Sequence, residues 1–267
     1  MEIFSTAAKA LQAGTNFYKD GSALKITGVM ALIQIVLVAA AFVMGIAAST
    51  QNLSAAYLQT ANPSSIISTF ATVLLVVLAF VIIQAFLQFA LLCRAIEVMR
   101  GKNVTPSVQN FGGMILLGIA AGLTALLSWK EKKLLALPVL GIALVAFGTV
   151  IAPVAVLGGL MLFVYYILVI RNAVRLFLAP AYFAENGFVG IGKSLDYSWQ
   201  ATAGKALHIF AILLIAYFVI AGVSTLAGIL ALIPLLGIFI AIAVSAAISA
   251  ATIFALVYIY NAVASGK

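Results

Sequence analysis

Arg171 and Arg175 stand one helical turn apart in the apolar run "YYILVIRNAVRLFLAPAYFAENG", residues 165 to 187. Four residues apart on a helix means the same face. Two guanidinium groups on one face can hold an anion, with Asn172 beside them. They can equally mark the end of a membrane span, where long side chains snorkel to lipid phosphate. A second basic set lies in "CRAIEVMRGK", where Glu97 is three residues from both Arg94 and Arg100, the spacing of a salt-bridged stripe at a span end. Arg94, Arg100, Arg171 and Arg175 are therefore the candidate contacts to lipid headgroups or other anions. Neutral polar groups inside the apolar runs are few: Gln34, then Gln84 and Gln88 on one face, and Ser224, Thr225, Ser245, Ser249 and Thr252. Gln84, Gln88, Asn172, Ser245 and Ser249 are the candidates for a neutral polar cavity. The alternative is that "GVSTLAG" and "AVSAAISAAT" serve close helix packing.

Hydrolysis or group transfer needs paired carboxylates, a metal cluster or an activated nucleophile. The chain has six acidic residues, one histidine and one cysteine, and no acid falls deep within an apolar run. Glu185 and Asp196 are left to pair with Arg171, Arg175 or Lys193. His208 has no second ligand at metal spacing, Cys93 reads as a small buried apolar group, and no glycine-rich phosphate loop appears. The expectation is no catalytic residue, no cofactor and no metal: not an enzyme. Proton- or cation-coupled transport usually leaves an ionisable group at the midplane of a span, and the runs contain none.

The elements that must position these residues follow from composition. Of 267 residues, 66% are hydrophobic and 7% charged, with mean hydropathy +1.27, whereas soluble chains carry about a quarter charged residues. The chain reads as an all-α polytopic membrane protein, a single integral membrane domain over 1–267. Its runs do not alternate with the period of two that a barrel wall requires. Apolar runs of spanning length lie near 26–48, 66–93, 112–129, 134–152, 159–182, 206–232 and 237–262.

Charge sorts them. All charged side chains fall in residues 2–25, 94–133 and 171–205 and at Lys267, while the connections 49–65, 153–159 and 233–237 carry none. If all seven runs crossed with the N-terminus inside, "KEKK" at 130–133, the 183–205 loop and the C-terminus would face outward, against the positive-inside rule. If 112–129, a glycine-rich piece bracketed by cations, is re-entrant, six spans remain and both termini are cytoplasmic. Seven spans is the alternative. The net charge of +8 is then that of cationic loops, with no nucleic-acid partner implied.

Residues 1–25 place Ile3, Phe4, Ala7, Ala8 and Leu11 on one helical face, an interfacial helix ahead of span one. No cleaved signal peptide is expected, since the first long run starts too late. Residues 187–205 form a second interfacial helix, with Phe188, Ile191, Leu195 and Trp199 at helical spacing. Between them, 26–182 holds spans one to five, and 206–262 the last two. Pro180 ends or bends span five. Tyr57, Trp129, Tyr182, Trp199, Tyr258 and Tyr260 sit at aromatic-belt positions.

The stretch "RNAVRLFLAPAYFAENGFVGIGKSLDYSWQ" resembles a pattern of multi-pass proteins that includes the YciC-like family and the membrane domain of some glycerophosphoryl diester phosphodiesterases. The matching elements are Arg171, Pro180, Glu185, Gly187, Ser194, Ser198 and Trp199. "CRAIEVMRGKNVTPSVQNF" and the leading amphipathic segment are similar to the same group. The resemblance implies a prokaryotic cell-membrane protein of this architecture and brings no catalytic signature. The resemblance adds little about function; because no residue pattern demands chemistry, the expectation is a structural or accessory subunit of a membrane assembly, in contact with lipids and with protein partners or further copies of itself. The alternative is a carrier or channel for a lipid-like or neutral small solute.

Overall fold

Inside a bilayer every backbone amide and carbonyl has to be satisfied within the chain, so uninterrupted runs of Leu, Ile, Val and Ala resolve locally into helices. The computed structural model describes residues 3–50, 63–127, 136–147, 152–230, 233 and 236–265. Trp129, Tyr57, the "KEKK" cluster and Lys267 lie outside the described residues. In chain order come α1 (Ile3–Gly14), a 3-10 turn (Thr15–Lys19), α2 (Gly21–Thr50), α3 (Pro63–Arg100), α4 (Val108–Leu126) and α5 (Ala136–Phe147). These are followed by α6 (Ala152–Leu176), α7 (Ala179–Glu185), α8 (Ile191–Ala201), α9 (Ala206–Leu230) and α10 (Leu236–Ala264). Among the described residues there is no strand. The chain is an all-α, multi-pass membrane protein.

Among the described residues six helices are long and apolar enough to cross a membrane, within α2, α3, α4, α6 to α7, α9 and α10. The allocation differs from the sequence reading at one point. Residues 112–129 were expected to be re-entrant, but α4 is a continuous helix of 19 residues, about 28 Å of rise, and is itself long and apolar enough to cross. The shorter apolar helix is α5, with 12 residues, about 18 Å. One signal was under-read. Ser107 caps α4 by accepting from the Asn110 amide at 3.2 Å, adding a turn before the apolar run. Pro180 does interrupt the fifth run: α6 ends at Leu176, and the proline falls in the first turn of α7.

α4 and α5 divide the length of α6 between them. Gly113 of α4 faces Phe183 beyond the end of α6, and the Tyr165 hydroxyl donates to the Leu126 carbonyl at the far end of α4. α5 takes up the remainder, with Gly141 against Leu162 and Gly158.

α1 also departs from expectation. Phe4 is 80% exposed and Ala8 is exposed, while Thr6, Ala7, Ala10, Ala13 and Gly14 are buried. Small residues let α1 lie directly on α10: a β-carbon at Gly14 would stand 2.8 Å from the Ala251 carbonyl oxygen. Ala7 and Ala10 join a cluster with Ile259, Tyr260 and Val263. The helix is thus packed into the bundle along its small-residue stripe, because close approach yields more contact than the larger Phe4 face offers.

Burial concentrates where the charged helix ends gather. Leu91, Cys93, Ile96, Phe254 and Val257 form one cluster there, and Leu117, Ala179 and Phe183 belong to another. Cys93, 1% exposed, is the small buried apolar group expected. Away from that end the helices present large apolar side chains outward, such as Phe163 and Tyr166 on α6 and Phe218 and Leu226 on α9.

Candidate functional site: a polar network at the charged helix ends

Glu185 is the hub. It ends α7, whose Ala179, Ala181 and Ala184 are fully buried and let the short helix wedge between α3 and α10. The chain then reverses through two left-handed residues, Gly187 at φ 69° and Phe188 at φ 60°. A phenylalanine there costs on the order of 1 kcal/mol. Its ring packs 5.4 Å from Phe183 and 5.9 Å from Phe89, and its amide donates to the Phe183 carbonyl at 2.9 Å, which together hold the turn.

The Glu185 side chain is 1% exposed. Arg100 donates from Nε to Oε1 at 2.8 Å and places Nη2 2.5 Å from the same oxygen. Lys102 Nζ stands 2.8 Å from Oε1, and the Tyr260 hydroxyl donates to Oε2. Arg100 also donates from Nη1 to Asn261 Oδ1 at 2.9 Å, and its guanidinium lies 5.4 Å from the Tyr260 ring centre. One carboxylate therefore joins α3, the strap after it, α7 and α10.

A second pair ties the start of α2 to the end of α3. Arg94 donates to Asp20 from Nε at 3.0 Å and from Nη2 at 2.6 Å, and to Glu97 at 2.7 Å. Asp20 also caps α2, accepting from the Ala23 amide at 2.8 Å. The Arg94 hydrogen bond holds the Asp20 carboxyl below the usual aspartate range, against the opposing pull of burial. The depressed carboxyl contributes stability that is fully present above the unfolded aspartate pKa and is lost as pH falls through the folded one. The melting temperature of the purified protein should therefore hold from neutral pH to about pH 5 and fall below about pH 4. Asp20→Asn keeps a good cap but removes the ion pair. It should cost about 1 kcal/mol at neutral pH and flatten the acid limb relative to the parent, a comparison that cancels the other carboxylates.

The third contact fixes α8. The Arg175 guanidinium carbon lies over Trp199, 3.7 Å from the ring centre, and Nη2 donates to the Trp199 carbonyl at 3.0 Å. In return the Ser198 hydroxyl donates to the Arg175 carbonyl at 2.7 Å, and Thr202 Oγ1 stands 3.1 Å from the same oxygen. Ser194, Ser198 and Thr202 are fully buried. Arg171 Nη2 lies 3.4 Å from Asn172 Oδ1, and Asn172 is fully buried.

The four candidate arginines thus meet groups of the chain itself. Arg94 and Arg100 meet carboxylates, Arg175 meets an indole and a carbonyl, and Arg171 reaches Asn172. Among the described residues Glu97 pairs with Arg94 and not with Arg100, which reaches across to Glu185. Glu185 in turn takes Arg100 and Lys102 as its ion-pair partners, where Arg171, Arg175 or Lys193 had been anticipated. The five polar-cavity candidates are dispersed. Ser245 lines an open groove of about 430 Å³ between α2 and α10 with Gln34 and apolar neighbours. Gln84 Oε1 is buried on α3, Gln88 is exposed, Asn172 belongs to the end of α6, and the Ser249 hydroxyl donates to the Ser245 carbonyl at 3.1 Å.

Lys102, Tyr260, Asp20 and Thr202 were not singled out as site residues. Tyr260 looked like a belt tyrosine but is 2% exposed. The signal that could have found Thr202 is the hydroxyl stripe Ser194, Ser198, Thr202 at intervals of four. His208 is exposed at the start of α9. Among the described residues no group of His, Cys, Asp or Glu could hold a metal. Comparison with family models, with curated proteins and with solved structures finds no match to this chain.

Proposed function

We propose that this protein is a non-enzymatic structural or accessory subunit of a membrane assembly, with its charged end and both termini toward the cytoplasm and lipids or partner chains along its outer faces. The observation that supports the reading is the contrast between the charged end and the apolar helices. Ion pairs and buried hydroxyls rigidify the charged end, while the most apolar stretches of the long helices bury only between 6% and 28% of their residues inside the chain. A helix left so open presents its surface to lipid tails or to neighbouring helices. Membership of the YciC-like group remains part of this proposal and rests on the "RNAVRLFLAPAYFAENG" stretch. Purification of the full chain in mild detergent, with mass spectrometry of co-eluting polypeptides, tests it. A partner at fixed stoichiometry, lost on Tyr217→Ala with Phe218→Ala while helix content is unchanged, supports a subunit role. A chain that purifies alone, in one copy, under every mild condition overturns it.

A second reading is a carrier for a lipid-like or neutral solute. It is favoured by the groove in which Gln34 and Ser245 face an otherwise apolar wall. Lipid movement catalysed by the purified chain in vesicles, and abolished by Gln34→Leu, would establish it in place of the first.

A further inference from the structure

Lys102 stands between two clefts at the charged end. The larger, about 680 Å³, is walled by Met99, Arg100, Tyr258, Asn261, Ala262 and Ser265. The smaller, about 430 Å³, is bordered by Asn103, Thr105 and Asn110. Two cations meet one carboxylate here, and both converge on a single oxygen. Each carboxylate oxygen offers about two acceptor positions; Arg100 Nε, Arg100 Nη2 and Lys102 Nζ crowd Oε1, while Oε2 accepts from the buried Tyr260 hydroxyl.

What remains around the larger cleft is donors. Lys102, whose side chain is 49% exposed, has two further N–H groups, and each Arg100 Nη has one. Asn261 accepts from Arg100 through its oxygen, which leaves its amide nitrogen to donate. Among the described residues no acid lines this cleft. The last-turn carbonyls that would repel an anion at a helix C-terminus are partly met from within. Gly101 N–H donates to Glu97, Ser265 N–H to Asn261 and the Ser265 hydroxyl to Ala262. Met99, Ala262 and the Tyr258 ring supply an apolar side.

A ligand suited to these walls is negatively charged, carries several acceptor oxygens on one centre and bears an organic substituent. We propose that the larger cleft binds a phosphate ester anion, with Lys102 and Arg100 as its charged donors and Asn261 as its neutral one. Charge-assisted bonds of this kind are the strong ones. The shared chemistry fits both the headgroup of an anionic phospholipid and a soluble phosphate ester. The proposal is independent of the subunit reading.

The full chain in non-ionic detergent is titrated with short-chain phosphatidylglycerol, short-chain phosphatidylcholine and glycerol 3-phosphate, with bound ligand counted by native mass spectrometry. Phosphatidylglycerol should bind at least tenfold tighter than phosphatidylcholine. Lys102→Gln and Asn261→Asp should each weaken it at least tenfold, whereas Lys193→Gln, on exposed α8 surface, leaves it unchanged. Competition by glycerol 3-phosphate at the same site assigns a soluble ester, and its absence assigns the lipid headgroup. Equal binding of the two lipids, or binding unaffected by either cleft variant, overturns the proposal. Melting curves of both variants confirm the fold, and the comparison of the two lipids on the parent protein needs no variant at all.

Discussion

Glu185→Gln is expected to cost about 2–3 kcal/mol of stability, the largest loss from any single polar substitution at the charged end. Breaking a buried ion pair by removing one partner leaves the other charge uncompensated, and fully buried cases cost about 3–5 kcal/mol. Here the acid is 1% exposed, but the Arg100 and Lys102 side chains are 28% and 49% exposed, so water relieves part of the penalty. Glutamine keeps the volume and one acceptor oxygen, which isolates the charge. Glu97→Gln provides the contrast. Glu97 is 38% exposed and pairs with Arg94 within one helix, so its loss should stay within about 0.5 kcal/mol. Unfolding titrations in mixed micelles read both. The partner substitution sharpens the test: Arg100→Gln combined with Glu185→Gln should be less destabilising than the sum of the two, by about 1 kcal/mol or more. Additive costs would mean that the hub does not act as one unit.

The same hub shows where sequence reasoning reaches its end. Composition and run length specify helices and spans, because in lipid the backbone has few alternatives, and the six long apolar helices follow. The role of Pro180 as a break was legible because a missing amide acts locally. Pairing between charges was not. Glu97 sits at equal spacing from Arg94 and Arg100, and helix periodicity cannot tell that Arg100 turns away to a residue 85 positions later. Tyr260 carries the same signal as a belt tyrosine until the neighbouring helices are placed. Arg171 and Arg175 looked equivalent, yet Arg175 stacks on Trp199 of another element while Arg171 reaches Asn172 beside it. α1 was read from its large side chains, although in a crowded bundle the small ones decide which face packs. Each miss concerns which elements become neighbours, a quantity that local spacing does not encode.

The α5–α6 hairpin offers the second large effect, and its sign can be ranked in advance. α5 packs principally on α6, so the approach of these two helices decides whether α5 stays in place. A β-carbon at Gly158 would stand 2.7 Å from the Val145 amide nitrogen and 2.8 Å from the Gly141 carbonyl oxygen. Both are backbone atoms within helices, and neither can step aside without moving the helix. Gly158→Ala should therefore cost about 2 kcal/mol, and Gly158→Leu about 3 kcal/mol. At Gly141 the nearest obstacles are Leu162 side-chain atoms at 2.9 and 3.0 Å, which another rotamer can relieve, so Gly141→Ala should cost about 1 kcal/mol. Gly159 meets nothing within 4 Å. There, removing a flexible residue from a helix makes Gly159→Ala neutral or stabilising by about 0.5 kcal/mol. A cysteine placed at the half-buried Leu144 reports the geometry directly, since the native Cys93 is 1% exposed and contributes little background. Its labelling by a membrane-permeant thiol reagent should rise severalfold in the Gly158 variants and stay at the parental rate with Gly159→Ala. Equal labelling across the series would mean that α5 is held by something other than its contact with α6.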